Sequence, residues 1–211
     1  MSSPLRKYYL KLTDLTNGLK NANDNQLNYF YKLWSIVYDV SIRLDPAYQR
    51  ELNKMIDSII WSGDITLDIG CGTGLASIPA ANKAKLVVGI DPSSHMLNQL
   101  RKKMNKFNIQ NIELRNGYFP DSIKVGECFN SILCSFMLVH FNQEERCNLV
   151  CKAYEYLDEG GRIGIFTARG EIAKAFETYE QVNDYLSGAG FRNIHIHDVA
   201  DVYRIASGVK I

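Results

Sequence analysis

After Gly63 the sequence predicts an α/β fold, in which a mainly parallel sheet is wound on both faces by helices and closed by an antiparallel edge. Three observations predict it. Short apolar runs alternate with helical stretches, as strands and crossover helices do. The first run leads into a turn crowded with glycine, Asp68-Ile69-Gly70-Cys71-Gly72-Thr73-Gly74. The last two runs, 192–199 and 202–209, lie too close together for a parallel crossover and must pair antiparallel.

The elements follow in order. Residues 1–25 end in a polar, Asn-rich stretch with no strong apolar period, so this arm is expected to be loosely attached. From there Leu27, Phe30, Tyr31, Trp34, Val37 and Tyr38 recur at three- and four-residue spacing, the period of an amphipathic helix. A second helix starts near Pro46 and carries Tyr48, Leu52, Met55, Ile56 and Ile59 on one face up to the Ser62-Gly63 break. The expected division is therefore a helical N-terminal extension or lid over 1–60 and a ligand-binding domain over 61–211. Within that domain, strands are predicted at 65–70, 85–91, 112–115, 129–136 and 162–168. Helices are predicted at 92–107, opened by Pro92, and at 143–157, capped by Asn142 with Glu145 three residues on. A further helix over 179–187 stops at Gly188-Ala189-Gly190. Arg101, Lys102, Lys103 and Lys106 read as a solvated helix face.

Composition narrows the function. Twenty-four basic residues against twenty-three acidic ones leave a formal charge of +1, too little excess for sequence-independent binding to nucleic acid. No apolar run is long enough to span a bilayer and no signal-peptide pattern opens the chain, so a cytoplasmic protein without stable membrane insertion is expected. The five cysteines have no paired CxxC spacing. Cys147 and Cys151, at i and i+4 on a helix, read as small hydrophobes rather than metal ligands, and no metal is expected.

The glycine turn carries the chemistry. Glycine reaches the positive φ values a strand-to-helix turn demands, and a side chain at Gly70 or Gly72 is expected to fill the space of a ligand. The helix N-terminus beyond Gly74 suits either a carboxylate or a phosphate. The spacing is G-x-G-x-G behind an acid, not the G-x-G-x-x-G of dinucleotide-binding folds, and no P-loop lysine follows. Asp91, at the end of the next strand, can accept two hydrogen bonds from a ribose diol. Turn and acid together point to an adenosine-bearing cofactor.

Five ordered segments, LDIGCGTG, GIDPSSHML, FNSILCSFMLVHF, DEGGRIGI and YLSGAGFRNIHI, resemble the motifs of the class I S-adenosylmethionine-dependent methyltransferases. The resemblance runs from about Tyr38 to the C-terminus, and Tyr38-Asp39, ahead of the glycine turn, resembles a Tyr-Asp pair of the quinone-biosynthesis and phospholipid methyltransferase-like group. It implies a Rossmann-like seven-stranded mixed sheet with its last strand antiparallel, and S-adenosylmethionine as cofactor. By position, Gly70, Gly72 and Gly74 would border the methionine part, with Asp68 near its ammonium and Asp91 on the ribose hydroxyls. Cys71, Pro92, Met96, Tyr118 and Ser135 complete the implied cofactor contacts. The family's Gly-Asp pair after the third strand is here Gly117-Tyr118, which leaves Tyr118 or nearby backbone as the adenine contact.

Methyl transfer from a sulfonium is an in-line displacement, which asks the protein mainly to position an acceptor and exclude water. Ser135, Phe136 and His140 follow the fourth strand on the expected acceptor side, His140 as candidate general base. Tyr29, Trp34 and Tyr38, with Phe136, are the candidate substrate contacts. The Asn/Asp-Pro-Pro-Tyr signature of relatives that methylate adenine or glutamine nitrogens is replaced by Cys134-Ser135-Phe136-Met137, which favours a small-molecule acceptor. A non-catalytic accessory protein that keeps the fold, and a nicotinamide oxidoreductase, are the competing readings.

Overall fold

The computed structural model describes residues 45–211. One seven-stranded sheet has the order β3-β2-β1-β4-β5-β7-β6. Its strands are β1 (Ile65–Ile69), β2 (Leu86–Asp91), β3 (Ile112–Asn116), β4 (Phe129–Ser135), β5 (Leu157–Ala168), β6 (Arg192–Val199) and β7 (Tyr203–Val209). The helices are α1 (Pro46–Ile59), α2 (Ser77–Ala81), α3 (Ser94–Phe107), α4 (Gln143–Glu155) and α5 (Tyr179–Ala189). Strands β1 to β5 are mutually parallel, whereas β7 runs antiparallel to both β5 and β6. The hairpin predicted from the short connection is thus present, with β7 inserted and β6 left at the edge. Side chains explain that order. Tyr203, Arg204, Ile205 and Ala206 of β7 are all buried, while β6 alternates exposed His195 and His197 with half-buried Ile194 and Ile196.

Alternation along β1 feeds two cores. Leu67 and Ile69 face one side with Val88, Ile132, Ile163, Val182 and Leu186, beneath α4 and α5. The other side gathers Val87, Leu133, Phe166 and Ile205 under Tyr48, Leu52, Met55, Ile56 and Ile59, the apolar face predicted for α1. Gly164 lets that helix lie close to the sheet, since a Cβ there would collide with Ile59. Asn142 and Thr178 each form a capping box, with Glu145 and Gln181, at the starts of α4 and α5.

Two boundaries differ from expectation. Strand β5 begins five residues early, at Leu157, because Gly160 and Gly161 exchange backbone hydrogen bonds with Lys210 beyond β7. Lys103, read as part of a solvated face, folds back so that Nζ donates to the Thr73 carbonyl at 2.8 Å. Arg101, Lys102 and Lys106 are exposed as expected. The predicted helix through Leu27 and Tyr38 lies outside the described residues, as do Tyr29, Trp34 and Tyr38. Among the described residues no helix is long and apolar enough to cross a membrane.

Candidate active site

The carboxyl edge of the parallel strands collects the candidate residues. Beyond β1 the chain swings toward β2, with the Gly70 and Cys71 N–H groups both donating to the Ile90 carbonyl at 2.9 and 3.0 Å. Gly70, Gly72 and Gly74 all have positive φ, at 69°, 52° and 88°. Each glycine answers a different demand. A Cβ on Gly70 would sit 2.6 Å from Met137 Sδ, and one on Gly74 would collide with Leu100 of α3. At Gly72 nothing lies nearer than the Gly70 carbonyl oxygen, at 3.9 Å, so the turn presents bare backbone to open space there. The expectation that a side chain would invade ligand space therefore fits Gly72; at Gly70 and Gly74 the obstacle is the protein's own packing.

Two carboxylates stand behind this turn. Asp91 Oδ2 accepts the Gly72 N–H at 2.9 Å and Oδ1 the Ser93 N–H at 2.8 Å, so the acid clamps both the glycine turn and the start of α3. Ser93 caps that helix, accepting from the Met96 N–H at 3.3 Å. Asp68 is 1% exposed and accepts from the Ser77 hydroxyl at 2.5 Å. Burial pushes Asp68 up to about 7, with the neighbouring Asp91 adding to the rise and Ser77 opposing it. Burial also raises Asp91, against the two N–H groups that lower it.

The remaining candidates divide by environment. Cys71 is buried against Leu97 and Leu100, and burial drives its thiol up, so it acts as packing. Met96 is buried and Pro92 exposed. Beyond β3, Asn116 Nδ2 donates to the carbonyls of Asp91 (3.0 Å) and Pro92 (2.9 Å), which seats the next residues beside β2. Tyr118 there is 65% exposed.

At the end of β4, Ser135 is half-buried and shares a 3.4 Å hydrogen bond with the Tyr48 hydroxyl. Phe136 takes a left-handed φ of 53°, unusual for an aromatic residue. Its ring is 7% exposed, enclosed by Tyr48, Phe166, Phe176 and Tyr203 at centroid distances of 5.3 to 5.9 Å. His140 ends the 3-10 turn Leu138–His140 and is exposed. The structure thus brings Asp68, the glycine turn and Asp91 together, places Ser135 and Phe136 at the end of β4, and leaves His140 and Tyr118 at the surface.

Several contributors were not legible in sequence. Ser77, nine residues from Asp68, had as its only signal a hydroxyl in the first turn after a glycine loop. Met137 and Leu100 read as ordinary apolar residues. Tyr48 was visible as a core position, but not its hydroxyl's reach to Ser135.

A doubly wound sheet with a glycine turn, an open backbone face and a buried acid at the end of the adjacent strand is an arrangement suited to an adenosine-bearing cofactor. Residues 66–161 match the family model described as a methyltransferase domain. A probable cobalt-precorrin-6B C(15)-methyltransferase (decarboxylating) of Saccharolobus solfataricus is 30% identical over 156 residues, 72% of this chain and 71% of that protein. An uncharacterised methyltransferase of Alkaliphilus oremlandii is 28% identical over 147 residues, and the match spans 65% of each chain, less than two thirds of the relative's length. Magnesium protoporphyrin IX methyltransferase of Synechocystis PCC 6803, solved with bound S-adenosylhomocysteine, shares the fold at a TM-score of 0.64 and 19% identity, covering 82% of this chain and 87% of that one. The chain belongs to the class I S-adenosylmethionine-dependent methyltransferases.

The contrast between the glycines is testable. Gly74→Ala forces a Cβ into Leu100 at positive φ and is expected to lower stability by about 2 to 3 kcal/mol, read by urea denaturation. Gly72→Ala meets open space and is expected to lose only about 1 kcal/mol, while weakening cofactor binding on the order of tenfold or more. Equal cofactor affinity in a folded Gly72→Ala protein would place the ligand elsewhere.

Proposed function

We propose that this protein transfers the methyl group of S-adenosylmethionine to a small-molecule acceptor at the carboxyl edge of its sheet. The observation that carries the reading is the open backbone face at Gly72, flanked by the buried acids Asp68 and Asp91. Bound there, the cofactor supplies an electrophilic methyl group on a sulfonium. The protein's part is binding and orientation. Asp91 accepts from the ribose hydroxyls while keeping its hold on Gly72 and Ser93, and Asp68 faces the ammonium. Gly70, Gly72 and Gly74 border the methionine part, with Cys71 packed behind the turn. Pro92, Met96 and Tyr118 lie on the adenine side. Ser135 and Phe136 form the boundary toward the acceptor, and Tyr29, Trp34 and Tyr38 are assigned to it on sequence grounds, within the extension over 1–60.

A small molecule is favoured over nucleic acid by the near-neutral charge and by the names of the relatives, which refer to a precorrin and to a protoporphyrin. Calorimetric titration with S-adenosylmethionine and S-adenosylhomocysteine, with NAD as control, tests the cofactor. A screen of phenols, amines, quinol precursors and tetrapyrroles, read by S-adenosylhomocysteine release, then tests the acceptor. Binding of neither cofactor form would overturn the enzyme reading and favour an interaction protein.

His140 is the side chain of the acceptor-side turn with the chemistry to take a proton. If it is the general base, His140→Gln lowers kcat by about 100-fold or more and removes the acid limb of the pH–rate profile, with the cofactor's KM unchanged. An unaltered profile would leave positioning as the whole of the protein's contribution.

A further inference from the structure

The segments that follow β4 and β5 are fastened together by one buried ion pair. Arg146, on α4, donates through Nε to the carbonyls of Leu138 (2.9 Å) and Phe141 (2.8 Å), and through Nη2 to that of Ala175 (2.9 Å). Its Nη1 lies 3.1 Å from Glu177 Oε1. Glu177 is wholly buried, and its Oε2 accepts from the Thr167 hydroxyl, near the end of β5, at 2.8 Å. The Glu177 carbonyl in turn accepts from the Gly170 N–H (2.8 Å) and from Arg204 Nη1 (3.1 Å). Gly170 has no room for a side chain: a Cβ would stand 2.6 to 2.7 Å from backbone atoms of Phe176, Glu177 and Thr178. Residues 170–177 therefore close on themselves, and the loop lays Phe176 against the strained Phe136 at 5.7 Å.

A buried ion pair is a poor device for stability alone, since an apolar pair of similar volume often serves as well. What an apolar pair does not supply is one rigid, planar donor group that bonds backbone in two separate segments at once. We propose that Arg146 and Glu177 are positioning residues, which hold the turn over 136–141 and the loop over 170–177 as one preformed wall on the acceptor side. The proposal rests on the reading that methyl transfer takes place beside Ser135 and Phe136.

The test compares wild type, Glu177→Gln, Glu177→Leu and the paired Arg146→Met/Glu177→Leu variant as full-length proteins, by amide hydrogen exchange and by calorimetry with S-adenosylhomocysteine. The paired variant covers the case in which Glu177→Leu, with an unmatched buried guanidinium, fails to fold. In the paired variant S-adenosylhomocysteine affinity should stay within twofold of wild type, while protection falls at least tenfold in both segments, Phe141 and Gly170 included. Glu177→Gln keeps an oxygen for the Thr167 hydroxyl and a polar group beside Arg146, and should restore most of that protection. With an acceptor from the screen, kcat should fall at least tenfold with the KM for S-adenosylmethionine unchanged. Protection lost around residue 177 alone, or evenly across the sheet, would overturn the proposal, as would undiminished turnover with both segments opened. Failure of the wild type to bind S-adenosylhomocysteine would instead strike the underlying reading.

Discussion

Asp91→Ala is expected to weaken S-adenosylmethionine binding by on the order of 100- to 10,000-fold. A carboxylate that accepts from both hydroxyls of a ribose makes two charge-assisted hydrogen bonds, each contributing about 1.5 to 3 kcal/mol. The same substitution also strips the Gly72 and Ser93 N–H groups of their acceptor, which costs stability and loosens the turn. Asp91→Asn separates the two effects. Its amide oxygen can still serve one of those N–H groups, so it should melt closer to wild type while losing most of the affinity. Calorimetry and a thermal melt on the same samples decide: a folded variant that binds normally would remove Asp91 from the cofactor site.

Cofactor binding is expected to release protons and to tighten as pH rises. In the folded protein burial holds Asp68 protonated up to about 7, whereas an aspartate in an unfolded chain ionises near 3.8. Between those values the folded state binds more protons than the unfolded one. The contribution of Asp68 to stability is therefore fully present below pH 4 and is lost as pH rises through about 7. Asp91, also raised by burial, contributes with the same sign. An ammonium placed beside Asp68 favours its ionised form, so cofactor affinity should increase about tenfold from pH 6 to pH 8, with about half a proton released per cofactor at pH 7. Calorimetry in buffers of different ionisation enthalpy measures that release. Asp68→Asn should abolish it, and a pH-independent affinity in the wild type would mean that no cation approaches this carboxyl.

The order of elements was open to reading because it depends on near-neighbour chemistry. Alternating apolar runs mark the strands, Asn142 with Glu145 marks the start of α4, and the short interval between β6 and β7 leaves only an antiparallel pairing. The glycine turn and Asp91 were legible for the same reason: backbone that must bend sharply and an acid at a strand end leave signatures within a few residues. The reasons behind the individual glycines were not. Gly70 yields to Met137 and Gly74 to Leu100, 67 and 26 residues away by their numbers, and only the folded chain brings those side chains close.

Lys103 shows the same limit on one helix. By period it belongs with Arg101, Lys102 and Lys106, yet a carbonyl at Thr73 lies within its reach. Phe136 could be foreseen at the end of β4, but neither its left-handed backbone nor its four aromatic neighbours could. By itself the sequence determined the sheet, its antiparallel edge, the glycine turn and the acid at the end of the adjacent strand, because each is written in local period, spacing and glycine placement. Tertiary structure alone decided the protonation of Asp68, the three separate demands on the glycines and the Arg146–Glu177 fastening, because burial and the meeting of distant segments exist only once the chain has closed.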